Sequence, residues 1–122
     1  MTRPVPALCD FRTFTVLSGA SVSDDIGLDG RVPVAIYMPA AWTAAAITFQ
    51  AAYEIDGTFY DLYDTAEAEF DITTPVAGKV HTIDPNLFLG VTQLRIRSGV
   101  SATPVNQGAD RALIVATAKP AR

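Results

Sequence analysis

The sequence predicts an all-β domain, an antiparallel β-sandwich or jelly roll of about eight strands with an extended N-terminal arm. Three observations carry this expectation. Apolar Ile47, Phe49, Ala51, Tyr53 and Ile55 alternate with Ala46, Thr48, Gln50, Ala52 and Glu54, the period-two pattern of a strand with one buried face. Turn chemistry recurs at short spacing, at Ser18-Gly19, Asp29-Gly30, Asp56-Gly57, Thr74-Pro75, Asp84-Pro85 and Gly99, a rhythm that suits antiparallel strands better than βαβ units. Finally, 122 residues at 49% hydrophobic content are enough for one core.

Taken in order, residues 1–10 read as an arm, because Pro4 and Pro6 remove backbone donors and favour extended conformations, and residues 11–122 as one sandwich domain. Strands are expected over Phe11–Leu17, Arg31–Met38, Ala46–Ile55, Phe59–Asp64, Glu69–Thr73, Lys79–Ile83, Gln93–Ser98 and Ala112–Ala118. Asp56-Gly57 would close a tight hairpin between the third and fourth of these, since both residues tolerate positive φ. The stretches 40–46 and 65–69 are too short for more than a turn of helix. Pro85 to Gly90 has the form of one helical turn closed by glycine, with Leu87 or Phe88 capping the core. Ser98 to Arg111 reads as a long polar connection of the kind that forms contact surfaces. The expected core comprises Val34, Ile36, Ile47, Phe49, Tyr53, Leu62, Phe70, Ile72, Leu94, Ile96, Leu113 and Val115.

Composition narrows the function. The net charge of −4 disfavours phosphate-backbone binding, so nucleic acid is not an expected partner. No apolar run reaches the roughly 18 residues of a membrane span, and the opening residues lack the pattern of a secretory signal, which leaves a cytoplasmic origin as the expectation. The single Cys9 and single His81 lack neighbours that would make a nucleophile with its base. Asp24, Asp25 and Asp29 fall in a glycine-containing loop, but Ile26 to Leu28 interrupts any calcium-loop spacing. Asp61, Asp64, Glu67 and Glu69 crowd one hairpin region rather than facing each other across a cleft. No glycine-rich loop precedes a helix, as a phosphate cradle requires. No enzymatic activity, metal or cofactor is therefore expected. Trp42, Tyr53, Tyr60 and Tyr63 are candidates for a sugar-stacking platform, with Trp42 and Tyr63 the first suspects. Arg95 and Arg97 share one strand face and suit pairing with carboxylates of a protein neighbour.

The segments Tyr37-Met38-Pro39-Ala40-Ala41-Trp42-Thr43-Ala44, Phe59-Tyr60-Asp61-Leu62-Tyr63-Asp64, Leu94-Arg95-Ile96-Arg97-Ser98-Gly99 and Thr103-Pro104-Val105-Asn106-Gln107 resemble those of small structural proteins encoded among the virion genes of tailed bacteriophages and prophages. The resemblance covers about residues 31–118. It implies a sandwich or jelly-roll domain on the virion surface, made in the host cytoplasm. Capsid decoration (cement) is the role implied first, and a head fibre, a tail component or a carbohydrate-binding module for host attachment are the alternatives. It further implies a homo-oligomer, typically a trimer, whose partner is the major capsid protein. The candidate interface residues are Pro4, Val5, Pro6 and Leu8 on the arm, Arg95 and Arg97 on their strand, and Pro104, Asn106 and Gln107 in the long connection.

Overall fold

A computed structural model describes residues 9–120. Ten strands and one 3₁₀ turn follow in the order β1 (Cys9–Val16), β2 (Ile26–Gly27), β3 (Val32–Tyr37), β4 (Ile47–Ala52), β5 (Tyr60–Asp61), β6 (Asp71–Ile72), β7 (Val80–Thr82), the 3₁₀ turn (Pro85–Phe88), β8 (Gln93–Val100), β9 (Thr103–Pro104) and β10 (Arg111–Ala118). One sheet has the order β1-β10-β3-β7; the other has β2-β8-β4-β5, with β6 also on β4 and β9 on β8. Every pairing between these strands is antiparallel. Most connections pass from one sheet to the other, which gives the interleaved strand order of a jelly roll.

All eight expected strands are present. The two additional ones, β2 and β9, have two residues each, too short to show a period in sequence. The first strand also begins earlier than expected: Cys9 and Asp10, assigned to the arm, pair with Ala118 and Thr117. The other arm residues singled out, Pro4, Val5, Pro6 and Leu8, lie outside the described residues.

The core forms where the inward phases of the two sheets meet. Phe49 on β4 opposes Ile96 on β8, and Val115 on β10 opposes Ile36 on β3, all four essentially fully buried. Phe49 is the centre of an aromatic group, its ring 5.3 Å from Phe88 in an edge-on arrangement and 5.9 Å from Phe70 in a stacked one. Phe88 is delivered by the 3₁₀ turn, which Asp84 caps by accepting a hydrogen bond from Asn86 N at 3.0 Å. Leu62, Phe70 and Ile72 pack against this core from partly buried positions.

Two expected core residues are placed differently. Tyr53 is 73% exposed, because β4 ends at Ala52 and alternation predicts a face only while the strand stays paired. Beyond it the chain runs through residues 53–59, with a Glu54–Gly57 turn closed at 3.1 Å, so Asp56-Gly57 belongs to a longer connection than a two-residue hairpin. Val34 is half-buried, since the register between β3 and β10 shifts at this point and leaves it without a cross-strand partner.

Ser98 to Arg111 is not a free loop. Strand β8 continues to Val100 and folds back through β9, with Gly99 paired to Pro104. Gly99 has φ of +92°, and a Cβ there would lie 2.5 Å from the Thr103 carbonyl oxygen, so this fold-back requires glycine.

Because Phe49 touches both flanking aromatics, Phe49→Ala is expected to destabilise the domain by about 3–5 kcal/mol. Chemical denaturation should show this as a lowered midpoint with an unchanged slope, which separates lost packing from a changed denatured state.

Candidate functional site

The outward face of the β2-β8-β4-β5 sheet gathers most of the charged residues singled out in the sequence. Arg97 on β8 pairs across to Thr48 on β4, and Arg95 to Gln50. These opposed residues share a face, and Asp61 on β5 extends the row beyond Gln50. Glu69 approaches from the β5–β6 connection, which is held by an isolated bridge between Tyr63 and Glu69.

Arg97 is the centre of this arrangement. Its side chain is only 5% exposed. Nη1 donates to Asp61 Oδ1 at 2.8 Å, Nη2 donates to Glu69 Oε2, and Nε donates to Thr48 Oγ1 at 2.9 Å. The Thr48 hydroxyl in turn donates to the Gly99 carbonyl at 2.7 Å. Ser101, at the tip of the β8–β9 fold-back, completes the cluster: its hydroxyl donates to Asp61 Oδ2 at 2.8 Å and its N–H to Glu69 Oε2 at 3.1 Å. One guanidinium, two carboxylates and two hydroxyls thus satisfy each other, and no buried side-chain nitrogen or oxygen among the described residues lacks a partner.

Arg97, a candidate interface residue, thus sits buried in a cluster formed within its own chain. A guanidinium that is buried and already paired with two carboxylates of its own chain has little left to offer a neighbour. Sequence spacing put Arg95 and Arg97 on one face correctly but carried no information on what covers that face. Arg95 is partly accessible, yet it pairs with Asp25 and stacks 3.8 Å above the Phe59 ring. Gln107 is likewise interior, 1% exposed. Its Oε1 accepts from Thr43 N at 2.8 Å and Arg111 Nε at 3.1 Å, while Nε2 donates to Ser98 Oγ at 2.7 Å and Thr43 O at 3.0 Å. Pro104 and Asn106 are exposed on the same connection.

The remaining candidates are dispersed. Asp24 accepts from Thr15 N at 2.9 Å, Asp25 binds Arg95, and Asp29 pairs with Arg12 at 3.1 Å, so the three loop acids serve three separate contacts. Among the described residues no group of three His, Cys, Asp or Glu side chains is arranged to hold a metal ion. His81 Nε2 accepts from Val76 N at 3.0 Å. Asp64 is engaged as acceptor for Ala66 N and Ala68 N, at 2.8 and 3.2 Å, within its own turn. Trp42 is half-buried, packs against the core and donates its indole N–H to the Ala45 carbonyl at 3.1 Å, while Tyr63 is exposed.

What sequence reasoning passed over is the outward face of the other sheet. Phe11 on β1, Tyr37 on β3 and Val80 on β7 are exposed there, and Phe11 and Tyr37 meet edge-on at 6.2 Å. A signal existed: β10 reads Arg-Ala-Leu-Ile-Val-Ala-Thr-Ala, apolar at nearly every position instead of every second one.

The Ser101 hydroxyl is the largest influence on Asp61, and together with Arg97 it outweighs partial burial and holds the carboxyl below the ordinary aspartate range. A lowered folded-state value means that ionised Asp61 stabilises the fold above about pH 4 and that this contribution is lost as pH falls through the folded value. Asp61→Asn should therefore flatten the acid limb of the stability profile below about pH 4, measured by urea midpoints. Arg97→Ala, which strands two carboxylates, should cost about 3–5 kcal/mol. The triple change Arg97→Met, Asp61→Asn, Glu69→Gln should recover much of that loss, because it removes the charges together.

No protein-family model and no curated protein sequence matches the chain. Among solved structures, the crystal structure of the SPBc2 prophage-derived protein YomS is similar: at 16% sequence identity, the alignment covers 93% of this chain and 99% of that one, with a TM-score of 0.50. This chain therefore shares its fold with a protein of prophage origin.

Proposed function

We propose that this chain is a bacteriophage virion structural protein of the capsid-decoration type, which binds the surface of major capsid protein subunits and braces the seams between them. The observation that carries the reading is the division of labour on the surface. Arg95 and Arg97 meet carboxylates of their own chain, whereas large apolar side chains stand in solvent: Tyr53 at 73%, Ile55 at 75%, Tyr60 at 60% and Tyr63 at 59% exposure. Exposed apolar groups on a rigid sandwich suit contact with other proteins. A fold shared with a prophage-derived protein and the sequence resemblance to virion proteins point the same way.

Decoration is a demanding task for a small domain, since each interface is modest. Repetition over a symmetric lattice compensates, because every copy that bridges two subunits makes the second contact effectively intramolecular. A sandwich stiffened by cross-sheet packing and by the Arg97 cluster can present its surface with little ordering cost on binding. The reading assigns contact, not catalysis: His81 Nε2 accepts a backbone hydrogen bond, and the carboxylates nearest each other share Arg97.

Purified chain added to undecorated capsids should co-sediment with them, saturate at a stoichiometry fixed by the lattice, and raise the temperature at which the shells open. Failure to bind at any salt concentration would overturn the decoration reading. Substituting His81 by Ala should leave binding unchanged.

A further inference from the structure

The outward face of the β1-β10-β3-β7 sheet is unlike that of a sheet with one side in water. Where the register is regular, its outward positions are Phe11, Tyr37, Ile114 and Val80, with Cys9, alanine or threonine at all the others, and none is charged. An antiparallel sheet with a solvated face normally shows polar residues at alternate positions; a strand as uniformly apolar as β10 is typical of one covered on both sides. Phe11, Tyr37 and Ile114 enclose a shallow groove of about 250 Å³.

The edges of this sheet are poorly suited to an added strand. At β1, Asp24 occupies the backbone of Thr15, its carboxylate accepting from Thr15 N at 2.9 Å and its own N–H donating to Thr15 O at 3.4 Å. At the other border β7 has only three residues. Short strands and inserted carboxylates are ways of discouraging edge pairing. The apolar face is therefore the better docking surface.

We propose that residues 3–8 of a second copy of this chain cover that face, so that copies associate by exchanging N-terminal segments. The segment is Arg3-Pro4-Val5-Pro6-Ala7-Leu8, apolar apart from its arginine. A chain laid flat across a sheet face finds no ladder for its amide groups, and two prolines remove two of the donors that would be left unpaired. The segment joins β1 at Cys9, opposite Ala118 at the border of the sheet and in outward phase with Phe11. Six residues extended from Cys9 span up to about 20 Å, a reach sufficient for a neighbouring copy. The proposal does not depend on the capsid reading, since such an oligomer forms from this chain alone.

The test uses the full chain in solution. Sedimentation should show an oligomer that dissociates on dilution. Deletion of residues 3–8 and, separately, Ile114→Glu should each weaken self-association by at least about 30-fold, the effect of losing one central apolar contact. Circular dichroism should be unchanged in both; if Ile114→Glu does not fold, Tyr37→Lys at the exposed end of the groove replaces it. In a Cys9→Ser background, oxidation of a mixture of Val5→Cys and Tyr37→Cys chains should give a disulfide-linked pair. The proposal is overturned if the full chain is monomeric at every concentration. It is also overturned if the deletion leaves the oligomer intact, which would mean another surface covers the face, or if the disulfide forms only within a chain carrying both cysteines. Binding of the monomeric variants to capsids would leave the decoration reading standing while the self-association interface is lost.

Discussion

The guanidinium of Arg97 joins four parts of the chain at one side chain. Strand β4 reaches it through Thr48, β5 through Asp61, the β5–β6 connection through Glu69, and the β8–β9 fold-back through Ser101, which binds both carboxylates. Strands β5, β6 and β9 have two residues each and bury little apolar surface of their own. The cluster holds β5 through Asp61 and the fold-back into β9 through Ser101, in addition to their short ladders. A buried charge is an expensive tether, since it must be removed from water, but a planar donor with a fixed fork sets direction as well as distance. It defines where the short strands stop and which way the fold-back turns.

Gln107 has the same function at the other end of the long connection. Its amide supplies donors and acceptors in equal number and uses them on Thr43, Ser98 and Arg111. Its backbone N–H reaches Ala20 O at 3.0 Å, and its carbonyl accepts from Gly19 N at 2.8 Å. Three segments distant in sequence are thereby joined at one side chain. Small polar residues in the sequence suggested a contact surface; they also pack closely around a buried amide.

The two outward faces of the sandwich divide its chemistry. On the β2-β8-β4-β5 sheet, arginines and carboxylates neutralise one another within the chain. On the β1-β10-β3-β7 sheet the outward positions carry no charge, and aromatic and aliphatic side chains are exposed. With a net charge of −4, copies of the chain repel weakly at long range, and an uncharged face is where they can approach most closely. A protein built to contact other proteins repeatedly benefits from such an arrangement: one face is electrostatically self-contained, and the other is left for desolvation to drive association.

The sequence by itself determined the strands that carry the core. Alternation from Ile47 to Phe49, in Leu94 and Ile96, and in Leu113 and Val115 identifies inward residues, because a paired strand sends every second side chain to one side whatever it packs against. Turn chemistry marked where those strands end, and the Pro85–Gly90 motif placed Phe88 at the core's rim. Tertiary structure alone decided the rest. Alternation located Tyr53 in the core, but the strand had already ended. Spacing put Arg95 and Arg97 on one face, yet whether that face met solvent or carboxylates depended on the β5–β6 connection, about 30 residues earlier in the chain, folding across β8. Local periodicity reports the direction of a side chain. What lies in that direction is a non-local fact, and both the Arg97 cluster and the bare face around Phe11 and Tyr37 are consequences of it.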